Sequence, residues 1–310
     1  MASPLTMATR VSVTLVACVL GVQLLVPGGW GGRAQLVMLV GLLAGLPHGA
    51  VDHLVPGWVG NRIGVGRMIA LLAGYAAAAL GAYAAFRVAP LPALVIFIAL
   101  SLWHFGAGEA QFSALRDGSA CHRGPLTVVA YGGVTTVLPL VAWPEQVAPL
   151  LSALVPGITF EPSSTLRFVA VGVILSAAVV TTVRQLSNGH RRDALELVLL
   201  SSLFLLVTPL AAFGVFFGGW HSVRHVGRLL ALNPGNASNL ARGRGLTPLI
   251  RFLRDAMPTT GVSLIVLVCL WASAGGLQGF VANDLVLLAG LTVPHLATVA
   301  WLDRHRSRPA

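Results

Sequence analysis

Six of the nine histidines lie inside long apolar runs of the sequence, where an ionisable side chain is unusual. Such a group at the centre of a bilayer costs about 2.5–3.5 kcal/mol on insertion scales, so it usually faces a bundle interior and pairs with something. At a rise of about 1.5 Å per residue, five of the six fall near the middle of their runs and form one layer. These five are His48, His104, His221, His225 and His295. The pattern predicts a shared polar site inside a helical bundle.

The spacing of His221 and His225 in GGWHSVRH is typical of two metal ligands on one helix. Residues four apart lie on the same face of an α-helix, so one helix can supply two imidazoles to one ion. His48 and His104 would complete the set from two other helices. Four neutral imidazoles without a thiolate suit Fe(II), Zn(II) or Cu(II), and chemistry in lipid on a nonpolar substrate favours iron.

Two carboxylates follow these histidines closely. Asp52 comes four residues after His48, and Glu109 comes five residues after His104. Either carboxylate is a candidate to accept the second ring N–H of a metal ligand and so fix its orientation. The alternative for both is a salt bridge to an arginine of a neighbouring loop, and for Glu109 the two interpretations are equally good.

Small and aromatic residues surround the same layer. Gly41 and Gly45 form a G-x-x-x-G pattern that allows close helix approach, and Pro47 predicts a kink just before His48. Several aromatic residues flank the histidines and are candidates to line an apolar channel. These are Trp103, Phe105, Phe216, Phe217 and Trp220.

The composition places this layer in a membrane. Of the 310 residues 56% are hydrophobic and only 10% are charged, with a mean hydropathy of +0.82, which is too apolar for a soluble domain. The net charge of +10 comes from arginine alone, and the arginines cluster between apolar runs as juxtamembrane charge does. This distribution argues for lipid and against nucleic acid as a partner. Cys18, Cys121 and Cys269 are isolated, so neither a disulfide framework nor a zinc-knuckle spacing is present.

The lengths of the apolar runs predict an all-α, polytopic membrane protein, a bundle of about eight to ten transmembrane helices with the metal site inside it. We expect a single membrane-embedded domain over 1–310, and an uncleaved first span rather than a signal peptide. The candidate spans are 11–27, 34–55, 68–86, 92–108, 125–143, 166–183, 195–211, 214–232, 258–276 and 284–302.

Arginine is concentrated in every second loop and at both ends of the chain. By the positive-inside rule this predicts a multi-pass protein of the cell membrane with both termini in the cytoplasm. Three histidines fall among these arginines and are expected to be solvated surface residues. They are His122, His190 and His305. His53 is expected near the cytoplasmic interface, where water hydrates an imidazole easily.

Four motifs resemble the Brp/Blh family of membrane β-carotene 15,15′-dioxygenases, in the same order and at similar spacing. They are GLPHGAVDH at 45–53, WHFGAGEA at 103–110, FGGWHSVRH at 217–225 and TVPHLATVAWLD at 292–303. In that family Fe(II) held by histidines uses O2 to cut the central double bond of β-carotene into two molecules of all-trans retinal. Carried over by motif, the resemblance implies His48, His104, His221 and His225 as iron ligands and places His295 near the site.

The resemblance also implies substrates and partners, and the sequence departs from the family pattern at one point near the site. β-Carotene and O2 are the expected substrates, membrane lipid surrounds the protein, and a retinal-binding rhodopsin is a suggested downstream partner. One departure is Ala107-Gly108, which stands before Glu109 where members often carry a carboxylate directly after HFG. That departure puts the metal-supporting role of Glu109 in doubt.

Three other functions compete with cleavage. A haem-b electron carrier would use two of the histidines as axial ligands, and a proton-coupled transporter would use a relay of histidine and aspartate. A non-cleaving, Brp-like role in retinal biosynthesis is the third, and the motifs do not separate it from the Blh-like role.

Overall fold

The computed structural model describes residues 3–28, 30–60, 63–119, 121, 124–273 and 277–306, with the backbone alone at 277–284 and 306; His122 lies outside the described residues. In that part of the chain the regular structure is helical, which confirms the predicted all-α class. The α-helices are α1 Pro4–Leu25, α2 Arg33–Gly45, α3 Val55–Val59, α4 Val65–Val88, α5 Pro90–Asp117, α6 Pro125–Gly132, α7 Leu138–Ala142, α8 Pro144–Leu154, α9 Ser164–Ser187, α10 Arg191–Leu206, α11 Pro209–Gly214, α12 Ser222–Leu232, α13 Ala237–Ala241, α14 Leu246–Ser273 and α15 Leu277–Arg306. Short 3₁₀ and π segments join some of them. They are the 3₁₀ turns Leu46–His48 and Pro234–Asn236 and the π segments Gly133–Val137 and Val215–His221.

Seven helical segments of the described chain are long and apolar enough to cross a membrane. They correspond to seven of the ten predicted spans, and they fit a multi-pass membrane protein. The segments are Pro4–Leu25, Val65–Val88, Pro90–Asp117, Pro125–Ala142, Ser164–Ser187, Leu246–Ser273 and Leu285–His305.

The other three predicted spans are not uninterrupted apolar helices. The span expected at 34–55 ends as an α-helix at Gly45, because Pro47 has no N–H to continue the ladder, and turns follow from Gly49. The span expected at 195–211 breaks at Val207, before Pro209. The span expected at 214–232 begins five residues earlier, passes through a π segment and carries two arginines.

Close backbone contacts hold the irregular segments in place. Gly41 of α2 lies directly against the backbone of Gly214, and Gly218 lies against the backbone of Gly41. A Cβ atom at any of these positions would overlap main-chain atoms of the other helix, so glycine is required. This contact fixes the end of α2, and therefore His48, against the helix that carries His221.

The first helix is packed into the bundle along its whole length. Val16 and Ser12 of α1 are fully buried, and Ser12 accepts a hydrogen bond from Arg224 on α12. The main apolar core gathers α1, α5, α6, α9 and α10 around Phe204, Phe216 and Trp220. A second apolar cluster lies at the other end of α4 and α5, where α8 packs across them.

Candidate metal centre

Five histidine rings converge at one point inside the bundle, and all five are buried. The ring centroids lie 4.7 Å apart for His48 and His295, 5.1 Å for His104 and His221, 5.2 Å for His225 and His295, and 5.3 Å for His48 and His221. These rings come from four helical segments that are distant in the sequence. The structure thus brings together the five histidines that the sequence placed in one layer.

Backbone geometry orients the first of these rings. The 3₁₀ turn at Leu46–His48 lets Nδ1 of His48 donate to the carbonyl oxygen of Gly45 at 2.5 Å. Its Nε2 is therefore the nitrogen that carries a free lone pair. Nε2 of His104 lies 3.4 Å from Nε2 of His221. Two imidazole nitrogens at about 2.1 Å from one ion lie roughly 3.0–3.4 Å apart, so this spacing suits two ligands of one metal.

His295 has the arrangement typical of a supported metal ligand. Its Nδ1 donates to Oδ2 of Asp52 at 2.8 Å, and the hydroxyl of Tyr75 donates to the same oxygen at 3.3 Å. Nε2 of His295 and Nε2 of His225 are buried and have no hydrogen-bond partner. Unpartnered buried nitrogens are costly unless another group binds them.

The ligand atoms are close enough for a metal ion to bind several of them together. One nitrogen each from His48, His221 and His295 lie within 4.8 Å of one another, and the same holds for Asp52, His225 and His295. His295 belongs to both groups. The residues present therefore fit a metal with mainly imidazole ligands, and the ring of His295 is as close to its neighbours as the other four rings are to theirs.

The two carboxylates do not support the histidines that precede them. Asp52, a candidate to hold His48, holds His295 instead, because the chain unwinds after His48 and the four-residue helical relation is lost. Glu109 takes the alternative role, an ion pair with an arginine, although the partner is Arg224 rather than an arginine of a neighbouring loop. Five residues turn about 140° around a helix, so Glu109 faces another neighbour.

Glu109 belongs to a buried cluster of arginines and carboxylates. Its Oε1 accepts from Nε1 of Trp220 at 3.1 Å, and its Oε2 accepts from Arg224 at 2.7 Å. Arg224 is 2% exposed, also donates to Glu196 at 2.8 Å, and lies over the Trp220 ring. Arg116 continues the cluster through Glu196, at 2.5 Å. This arginine cluster ties α5, α10 and α12 together next to the histidines.

Sequence reasoning missed most of these charges. It singled out neither Glu196 nor Asp303, yet both are buried, and Asp303 accepts from Arg228. The available signal was the spacing of Arg224 and Arg228 in SVRHVGR, which places two arginines one turn apart beside the histidines. Tyr75, the partner of Asp52, gave no sequence signal.

An apolar cavity of about 610 Å³ lies over the histidine cluster. Four of the five histidines line it, and His225 does not. On α5, on α15 and on the segment that carries His221, most lining residues precede the histidine, so these rings lie at the floor of the cavity. Along α5 and α15 the lining runs from Leu94 to His104 and from Leu285 to His295. Leu72 of α4 and Val262 of α14 also line the cavity and are 44% and 63% exposed, so its rim opens on the outer face of the bundle.

The flanking aromatic residues separate into two groups. Phe105 and Phe217 line the cavity and contact histidine rings, Phe105 with His221 at 4.9 Å and Phe217 with His48 at 5.3 Å between centroids. Trp103 is 39% exposed on the outside of α5, and Trp220 is fully buried against Arg224. Neither tryptophan lines the channel: Trp103 faces outward and Trp220 packs inside the bundle, the two usual roles of a single aromatic residue in a membrane helix.

The remaining described histidines lie apart from the cluster. His53 is partly buried at the edge of the cavity, while His190 and His305 are exposed. His190 also lies near Asp117 and Asp193, a third group with metal-like spacing. Arg116 occupies both of those carboxylates, so an ion is not needed there.

A family model and two relatives that match this chain carry the same description. A family model described as β-carotene 15,15′-dioxygenase matches residues 38–303. A relative from Halobacterium salinarum (strain NRC-1), named probable β-carotene 15,15′-dioxygenase Blh, is 32% identical over 84% of this chain and 81% of its own length. One from strain R1, named probable β-carotene 15,15′-dioxygenase Brp, is 27% identical over 87% of this chain and 84% of its own length. Comparison with solved structures gave no significant match.

Proposed function

Because this chain belongs to the β-carotene 15,15′-dioxygenase family, we propose that it cleaves the central double bond of β-carotene with O2 to give two molecules of all-trans retinal. The carbon–carbon double bond breaks, and each of its two carbons receives one oxygen atom of the same O2. The two carbons are oxidised and O2 is reduced, so neither an outside reductant nor a net proton transfer is required.

The observation that carries this proposal is the position of the histidine cluster. Four of the five buried imidazoles form the floor of an apolar cavity whose rim opens on the lipid-facing side of the bundle, and the fifth, His225, packs against them. A water-insoluble polyene can enter such a cavity from lipid, and a redox metal bound at the floor would lie next to it. The nitrogens of His225 and His295 that lack partners are available to bind that metal.

We propose Fe(II) as the cofactor, held by His48, His104, His221 and His225, with His295 as a fifth ligand. Iron bound there would supply the binding and activation of O2. The inclusion of His295 rests on its spacing to the other rings and on its hydrogen bond to Asp52, the usual outer support of a metal-bound histidine.

The other residues of the site act by orientation and by exclusion of water. Asp52 fixes the ring of His295, and the carbonyl of Gly45 fixes the ring of His48. Phe105 and Phe217 lie between the histidines and the cavity walls, which keeps the floor dry. A dry, shaped cavity that positions the polyene makes the reaction effectively intramolecular. No general acid or base is needed.

The competing functions fit this geometry less well. A haem needs two opposed imidazoles with a flat macrocycle between them, whereas rings from different segments of the chain meet edge to face at 4.7–5.6 Å. A proton relay needs a chain of titratable carboxylates; Asp52 bonds to His295, but Glu109, Glu196 and Asp303 are each bound to arginine. For the Brp-like role, both the Blh and the Brp relative carry the same enzyme name. We place the protein in the cell membrane, where it would release retinal into lipid for a rhodopsin to bind.

The test is expression in a bacterial strain that accumulates β-carotene, with the His221→Ala variant as the matched control. We expect wild-type cells to lose their orange colour and to yield retinal, and the control cells to stay coloured. Purified protein should contain close to one iron per chain and no haem. Unchanged carotene with correctly inserted protein would overturn the proposed activity, and two irons or stoichiometric haem would overturn the proposed site.

A further inference from the structure

The cavity over the histidines ends in a wall that α8 closes. α8 presents Val147, Leu150, Leu151 and Leu154 to the cavity, at the spacing of one helix face. Val147 and Leu151 are buried, and Glu145 on the opposite face is 74% exposed at its side chain. α8 is therefore an amphipathic cap rather than a transmembrane span.

The ends of α4 and α5 complete this wall. Phe86 and Leu94 line the cavity there, are buried, and pack in the same apolar cluster as Val147 and Leu151. This group, with Leu150 and Leu154, is called the end wall below. None of its side chains carries a polar atom.

Three helices give the same depth between the end wall and the histidine cluster. Leu94 precedes His104 by ten residues on α5, and Leu285 precedes His295 by ten residues on α15, which is about 15 Å at the helical rise. On α4 the step from Tyr75, which contacts Asp52, to Phe86 is eleven residues, or roughly 16 Å. The part of the cavity between the histidine cluster and the end wall, called the arm, therefore has the same depth along all three helices. That length is of the order of half a C40 carotenoid, a conjugated chain that ends in a six-membered ring.

We propose that the end wall is the stop that receives one ring-bearing half of the substrate and so decides which double bond lies at the histidine cluster. This inference rests on the proposed function and adds the source of its position specificity. The ring contacts the wall, the conjugated chain follows the arm, and the bond that reaches the floor is set by the depth of the arm. Because the wall is pure hydrocarbon, it suits an unsubstituted ring, since a ring hydroxyl would be buried there without a partner.

The proposal is tested by substitutions at Leu151 that change the depth of the arm. Leu151→Trp should shorten the arm, lower retinal yield more than tenfold and produce an unequal pair of apocarotenoids, one shorter and one longer than retinal. Leu151→Ala should deepen the arm, so that the substrate is held in more than one position. It should give a mixture of retinal and an unequal pair of apocarotenoids. Leu80→Trp is the matched control, because Leu80 is 66% exposed on α4 and lies outside the cavity lining. It should give retinal at the wild-type yield.

Cleavage of a shorter substrate shows whether Leu151→Trp only shortens the arm or damages the whole protein. An apocarotenoid that has lost one end ring can place its open end in the arm, so Leu151→Trp should still cleave it within a few-fold of wild type. The proposal is overturned if both Leu151 variants give only retinal in the wild-type amount, or if both lose the two substrates equally. Failure of wild type to make retinal would instead refute the proposed function. As a second readout, the wild-type protein should cleave β-carotene at least tenfold faster than a carotenoid hydroxylated on both rings, and equal rates would count against the hydrocarbon stop.

Discussion

The histidine cluster and the arginine cluster are both buried and adjoin at His225 and Arg224 of α12, and they differ in whether their groups pair as opposite charges. In the arginine cluster, Arg224 donates to Ser12, Glu109 and Glu196, and Arg116 donates to Glu196 and Asp193. In the histidine cluster, ring nitrogens face one another, and two of them have no partner.

This difference separates a structural site from a binding site. Opposite charges that satisfy each other need nothing further, and breaking such a pair costs more than the pair adds to stability. Neutral imidazoles that converge with lone pairs inward are stable only when a cation joins them. The arginine cluster therefore pairs its charges within the folded chain, although Nη2 of Arg224 has no hydrogen-bond partner, and the histidine cluster is built for a ligand. Mutations in the histidine cluster should therefore change metal content, and mutations in the arginine cluster should change folding stability.

The largest effect is expected for the four motif histidines. Ala at His48, His104, His221 or His225 should remove both iron and retinal formation, because an open site that loses an imidazole loses affinity as well as geometry. Iron content and retinal yield are measured together on protein shown to be inserted in the membrane. If His104→Ala keeps its iron and activity, His104 is only an interhelical hydrogen-bond partner of His221.

The arginine cluster should respond in folding rather than in metal binding. Arg224→Met leaves Glu109 and Glu196 buried with less compensation, and should cost about 3–5 kcal/mol of stability. Thermal melting in detergent measures it. Arg254→Met is the control, since Arg254 is 75% exposed at its side chain and its pair should contribute under ~1 kcal/mol. Folded Arg224→Met protein that has lost its iron at unchanged stability would contradict the division between the two clusters.

His295 and Asp52 test the boundary of the binding site. If His295 is a ligand, His295→Ala should be as free of iron as His221→Ala. Asp52→Asn removes only the support of that ring, and should lower iron affinity or activity by about 10–100-fold without emptying the site. Iron titration of both variants gives the answer. An iron-replete His295→Ala variant would return the ligand set to four.

The smallest effect is expected for the histidines outside both clusters. Ala at His190 or His305 should leave cleavage within a few-fold of wild type, because both side chains are exposed and distant from the cavity. Retinal yield per milligram of inserted protein is the measurement. A large loss at either residue would mean that the site extends to the bundle surface.

Much of the candidate site could be predicted from the sequence, because depth in a helix is a local quantity. The rise per residue placed His48, His104, His221, His225 and His295 in one layer before their partners were known. The sequence alone does not show which neighbouring side chain each of these residues contacts. Asp52 supports a histidine other than the one a turn before it, and Glu109 pairs with Arg224 rather than with His104, because sequence distance does not give the direction of a side chain.

The sequence by itself determined that the chain is an all-α membrane bundle, because the length and apolarity of a run decide whether it can span lipid. It also determined which histidines lie deep, because a helix converts residue number into depth. Only the tertiary structure decided that Asp52 supports His295, that Arg224 joins Glu109 to Glu196, and that α8 closes the cavity. Those outcomes depend on the rotation of each helix and on where the chain unwinds, at Pro47 and in the π segments, and neither is fixed until the helices pack against one another.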